Sequence, residues 1–159
     1  MTDPDPRRSR RTSVVAAVAQ VVLGLFLLFA GIGHLTVARE AFQAQVPAWL
    51  PVDADVVVVA SGVVEILLGS SLLLLWRWRA PLGWVVAAFF VAVFPGNISQ
   101  FATGTDSFGL NDDLSRGIRL LFQPLLVLWA LWSTGAWRFW RTTRRNRASN
   151  NASRVASGS

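Results

Sequence analysis

Four long apolar segments dominate this chain, at about residues 13–37, 55–76, 80–101 and 116–138. Each has the roughly 20 residues a helix needs to cross a bilayer. In a chain of 159 residues they leave room for one domain, short connections and two tails. Composition points the same way. Hydrophobic residues make up 53% and charged residues 15%, whereas soluble domains carry about 25% charged residues. The first apolar stretch outruns the roughly 7–15 residues of a signal-peptide core, so it reads as a retained span. The expected fold is an all-α membrane protein, a four-transmembrane-helix bundle.

Charge sets the expected orientation. The Lys+Arg total is 15, and every one of these residues is Arg. Arg7, Arg8, Arg10 and Arg11 precede the first span, Arg77 and Arg79 fill the tight second connection, and six more lie between Arg138 and Arg154. The opposite side holds only Arg39, Arg116 and Arg119. Positive charge stays on the cytoplasmic side, so both termini are expected inside, in a bacterial plasma membrane. The net charge of +6 is thus assigned to flanking residues and lipid contact rather than to nucleic acid. Residues 1–12 read as an Arg-rich tail, 13–140 as the membrane domain and 141–159 as a disordered basic tail. Trp76, Trp78, Trp84, Trp137 and Trp140 fall at the inner interface and Trp49 at the outer one, as an aromatic belt requires. Trp129 and Trp132 fall deeper and read as packing residues. In the first connection, Phe42, Val46, Trp49 and Leu50 recur at helical spacing, which predicts a short interfacial helix ended by Pro47 to Pro51.

Composition also excludes chemistry. There is no Cys and one His, so disulfides, thiol catalysis and thiolate metal sites are ruled out, and no metal-ligand set is expected. No catalytic motif is visible.

Glu65 stands out within this frame, because it interrupts the apolar run from Val56 to Leu75. An ionisable group inside a span is costly and marks a candidate functional site. Either protonation or pairing with Arg119, the only basic residue expected within reach, removes that cost. Each span carries a seam of small or polar residues at spacings of three and four, the pattern of a buried helix face. With the apolar residues that complete the spacing, the seams are Gln20, Gly24, Leu27, Gly31 and His34; Gly62, Glu65 and Gly69; Gly83, Ala87, Phe90, Phe94, Asn97 and Phe101; and Arg119, Gln123, Leu126, Ala130 and Ser133. His34 and Asn97 lie within about a turn of the outer ends of their spans, and Glu65 about 15 Å inward. His34, Glu65, Asn97, Arg119 and Gln123 are therefore expected to form one polar cluster in the outer half, above an inner half of Leu, Val and Ala. Pro95 and Pro124 each free a backbone carbonyl one turn earlier, beside that cluster. For every one of these residues, interhelical hydrogen bonding competes with a ligand-binding role.

Gly33-His34 closes the first span, followed by Val46-Pro47-Ala48-Trp49-Leu50-Pro51, and Gly62-x-x-Glu65-x-x-x-Gly69 lies in the second span. Pro95-x-Asn97 and Gln123-Pro124 lie in the third and fourth. In order and spacing these motifs resemble the DoxX-like family of small four-helix membrane proteins, over about residues 15–135. The resemblance implies a redox-associated membrane component linked to quinone chemistry or to a partner oxidoreductase of the membrane or envelope. Relatives tied to disulfide chemistry need thiols, which this chain lacks. The expected function is the binding of a quinone or similar small amphiphile, with Glu65 as proton acceptor. A non-catalytic scaffold for another enzyme is the main alternative, and a small proton-coupled transporter a third.

Overall fold

The computed structural model describes residues 6–104 and 113–138, apart from the side chains of residues 6–13, 113–116 and 119. The described residues are helical, without strands. The helices are α1 (Pro6–Leu35), α2 (Arg39–Gln43), α3 (Ala54–Leu74), a 3-10 turn (Trp76–Trp78), α4 (Arg79–Thr103) and α5 (Asp113–Ser133). Three stretches are long and apolar enough to cross a membrane: Val14–Leu35, Ala54–Leu74 and Trp76–Thr103. The apolar part of α5 is shorter, Leu120–Ser133. Outward-facing Val, Leu and Phe cover the helices, among them Phe29, Leu67, Val91 and Leu128, as lipid contact requires.

Local chemistry sets the helix ends. Asp53 caps α3, its carboxylate accepting from the Asp55 N–H at 2.9 Å and the Val56 N–H at 3.2 Å, which satisfies two donors left open at a helix start. Gly104 ends α4 at φ 65°, a left-handed conformation that glycine adopts without strain. Gly135 at φ 71° stops α5 short of the expected residue 138. At the other end of the chain, α1 starts at Pro6 instead of about residue 13. Proline suits a first helical position and arginine is a good helix former, so the basic segment extends the helix. The expected interfacial helix shrinks to Arg39–Gln43, since the residue before Pro47 is biased away from helical geometry. The expected tail 141–159 lies outside the described residues.

Packing follows the glycines. α1 and α3 run antiparallel, with Gly24 set against Gly69 and Gly31 against Gly62. A Cβ on Gly31 would meet the Gly62 carbonyl oxygen at 2.7 Å, and one on Gly69 the Gly24 carbonyl oxygen at 2.7 Å. α4 packs on α5, where a Cβ on Gly83 would sit 1.9 Å from Thr134 Oγ1. The turn half of the bundle is filled by Leu23, Leu27, Leu68, Leu72, Val86, Ala87, Phe90 and Ala130. That half is not purely apolar, contrary to expectation. Gln20 is fully buried and donates to the Leu72 carbonyl at 2.9 Å. Trp129 donates across to the Ala19 carbonyl at 3.0 Å, pinning α5 to α1. Trp132, expected to pack, is instead half exposed.

Candidate functional site

The other half of the bundle, beneath the α1–α3 linker, is hollow. A cavity of about 900 Å³ is lined there by residues of α1, the linker, α3, α4 and α5. Most of the wall is apolar: Phe26, Phe29, Val57, Val58, Phe89, Phe90, Phe122 and Leu126. His34, Gln45, Ser61, Glu65, Asn97 and Gln123 supply the polar points. Apolar concavities with a few converging polar groups are the usual form of small-molecule sites.

Glu65 and His34 meet in this wall. His34 Nδ1 lies 2.8 Å from Glu65 Oε2 and 3.0 Å from the Ala30 carbonyl oxygen one turn back. Both residues are buried, and among the described residues that Glu65 oxygen has no partner apart from His34. Sequence spacing put Glu65 well below His34, and the structure brings the two side chains together. The glycine pairs explain the contact. In the register they set, His34 is level with residue 59, six residues or about 9 Å above Glu65. Helical side chains lean toward their own N-terminus, so in antiparallel helices His34 leans inward and Glu65 outward, and their lengths close the gap. The Arg119 side chain lies outside the described residues.

A carbonyl oxygen only accepts, so the contact to Ala30 calls for a proton on Nδ1, and that Nδ1–H is shared between the Ala30 carbonyl and Glu65 Oε2.

Asn97 and Gln123 form a second pair. Asn97 Nδ2 donates to Gln123 Oε1 at 2.8 Å, and Gln123 Nε2 donates to the Phe90 carbonyl at 2.6 Å. That carbonyl lies next to Val91, whose own carbonyl loses its helical donor to Pro95. The proline thus opens α4 where α5 reaches in. The structure brings His34, Glu65, Asn97 and Gln123 to one cavity.

The linker supplies what spacing did not reveal. Phe42 stacks on the His34 ring, with centroids 3.5 Å apart and planes at 22°. α2 is held over the site by Asp55, which accepts from Arg39 Nε at 2.6 Å, from Arg39 Nη2, and from Gln43 Nε2 at 2.6 Å. The Asp55 carboxylate holds the Arg39 guanidinium above its already high ordinary value. Gly96 lets the linker approach α4, since a Cβ there would lie 3.1 Å from the Gln45 carbonyl oxygen. The only sequence signal for this lid was the apolar spacing from Phe42 onward.

Fold and site together define a small all-helical protein of membrane character, with a buried acid–imidazole pair beside an apolar cavity. A family model described as a domain of unknown function (DUF8561) matches residues 23–134, and the chain belongs to that family. The match covers every residue that lines the cavity, from Phe26 to Leu126. No curated protein and no solved structure matches the chain.

Proposed function

We propose that this protein is a four-span membrane component, both termini cytoplasmic, that binds an uncharged ring-bearing amphiphile such as a quinone. The distribution of arginines supports the orientation, and α5 serves as the fourth span. One observation carries the binding reading: two polar pairs, His34–Glu65 and Asn97–Gln123, share one apolar cavity of about 900 Å³. A quinone headgroup is flat and apolar with oxygens at its edge, and matches such a wall. Glu65 accepts, through or beside His34, a proton released when the partner oxidoreductase oxidises a bound quinol, while Asn97 and Gln123 hold the ring. The resemblance to DoxX-like proteins supports a redox-associated role next to a partner oxidoreductase of the membrane or envelope.

A structural reading has its own support. Glu65 lies in the α1–α3 seam between Gly62 and Gly69, where a pair to His34 also ties the helices together, as a scaffold would need. Organic extraction of gently purified protein followed by mass spectrometry separates the two. The binding reading expects a quinone or similar amphiphile enriched over bulk lipid and depleted in Glu65→Gln. No enrichment, together with unchanged stability of Glu65→Gln, would refute it. Loss of the folded bundle in Glu65→Gln favours the scaffold.

A further inference from the structure

The cavity wall is not uniform. Phe26 and Phe29 of α1, and Ile118 and Phe122 of α5, line it, yet their exposures are 45%, 81%, 49% and 57%. A side chain that lines a cavity and also meets the exterior forms its rim. These four large apolar groups sit on two helices that touch in the turn half, where Trp129 bonds to the Ala19 carbonyl. Toward the linker end the same two helices bound the cavity instead of filling it.

The end that would face water is covered differently. Pro47 of the linker is buried, Phe42 stacks on His34, and the Arg39–Asp55 pair holds α2 down. Trp49 is the exposed lining residue of the lid, itself a large apolar group. Ala92 and Pro95 of α4 also line the cavity and are exposed, but the way in flanked by large apolar side chains on both sides runs between α1 and α5, at the level of the bilayer.

We infer that the cavity opens sideways to the lipid between Phe26/Phe29 and Ile118/Phe122, and takes a ligand with an apolar tail from the membrane phase. The headgroup lies under the lid against His34 and Asn97, and the tail leaves along the four rim residues. This deepens the binding reading by naming the ligand class, a lipid-phase molecule with a chain. It rests on that reading only for the ligand. The opening stands or falls by itself.

The chain has no Cys, so a single introduced thiol reports access cleanly. Ser61 lines the cavity outside the two polar pairs, and Ala48 of the lid is exposed and serves as the water-facing reference. Full-length Ser61→Cys and Ala48→Cys proteins in liposomes are labelled with a lipid-soluble maleimide and with a permanently charged methanethiosulfonate. Normalised to Ala48→Cys, the lipid-soluble reagent should react with Ser61→Cys about 100-fold faster than the charged one, because a charge crossing apolar surroundings is strongly disfavoured. Tryptophan at Phe29 and Ile118 together should slow that labelling, whereas Val91→Trp on α4, exposed but not lining the cavity, should not. Equal normalised rates would mean an opening to water and overturn the inference. So would failure of both reagents at Ser61→Cys and at a sibling Ala30→Cys, which would mean a sealed cavity. A lateral opening found in a protein that extracts without ligand would refute the binding reading alone.

Discussion

Two glycines in the last turns of α1 are predicted to respond oppositely to alanine. At Gly31 a Cβ would meet the Gly62 carbonyl oxygen at 2.7 Å, Ile66 Cγ1 at 2.8 Å and Glu65 Cβ at 3.1 Å. Relaxed carbon–oxygen contacts begin near 3.3 Å, so the helices must part by about 0.6 Å. The obstacle at Gly62 is backbone, which cannot swing aside. Overpacking of this kind costs about 1–3 kcal/mol, and the better helix propensity of alanine returns up to about 1 kcal/mol. Gly31→Ala should therefore lose about 1–2 kcal/mol. At Gly33 the nearest atoms to a new Cβ are Ala38 Cβ and Phe42 Cε2, both at 3.9 Å, which is ordinary contact. Gly33→Ala should gain about 0.5–1 kcal/mol from propensity. Unfolding by SDS in mixed micelles, followed by circular dichroism, reads the difference of roughly 2 kcal/mol. Equal stabilities, or Gly31→Ala the more stable, would refute the glycine-set register and with it the account of how His34 reaches Glu65.

Other perturbations test separate parts of the structure. Gly83→Ala should destabilise more severely, since its Cβ would sit 1.9 Å from Thr134 Oγ1, and Thr134→Ala should restore part of the loss in the same unfolding assay. Asn97→Ala should cost about 0.6–1.7 kcal/mol, the range for interhelical hydrogen bonds in membranes, and Gln123→Ala should cost more because it breaks two bonds. Asp53→Ala removes the α3 cap and should cost about 1 kcal/mol, with faster amide exchange confined to Asp55 and Val56. Arg39→Ala should leave global unfolding unchanged, because the Arg39–Asp55 pair is about two-fifths exposed, but should speed amide exchange through 39–43. A slow-exchanging α2 in that variant would show that the pair does not hold the lid.

The long apolar helices were legible from the length of their apolar runs, and their buried faces from periodicity. Gly62, Glu65 and Gly69 fall on one face of any helix they form, and all three are buried. What periodicity cannot supply is the offset between helices. Counting from span ends placed Glu65 roughly 15 Å inside and His34 near the surface. Only the glycine pairing, a contact between residues 31 positions apart at its nearest, reveals that the two side chains lean together. The lid was half legible. Phe42 stood out as an apolar residue in a polar connection, but its stacking on His34 depends on α2 ending before Pro47. The buried Gln20 was read as a seam residue, and its bond to the Leu72 carbonyl shows why a polar group is tolerated where the core is otherwise Leu and Val.

The central claim is that the His34–Glu65 pair serves a ligand in the cavity. It is tested most directly by thermal unfolding of purified protein with an alkyl-chain benzoquinone, in wild type, Glu65→Gln and the cavity-filling Ser61→Phe. A ligand that binds only the folded state at about 100 times its dissociation constant adds roughly 2.7 kcal/mol. Wild type should show a rise in unfolding temperature that saturates with ligand, Glu65→Gln a reduced rise and Ser61→Phe none. The same rise in all three proteins, or none in wild type, would contradict the account.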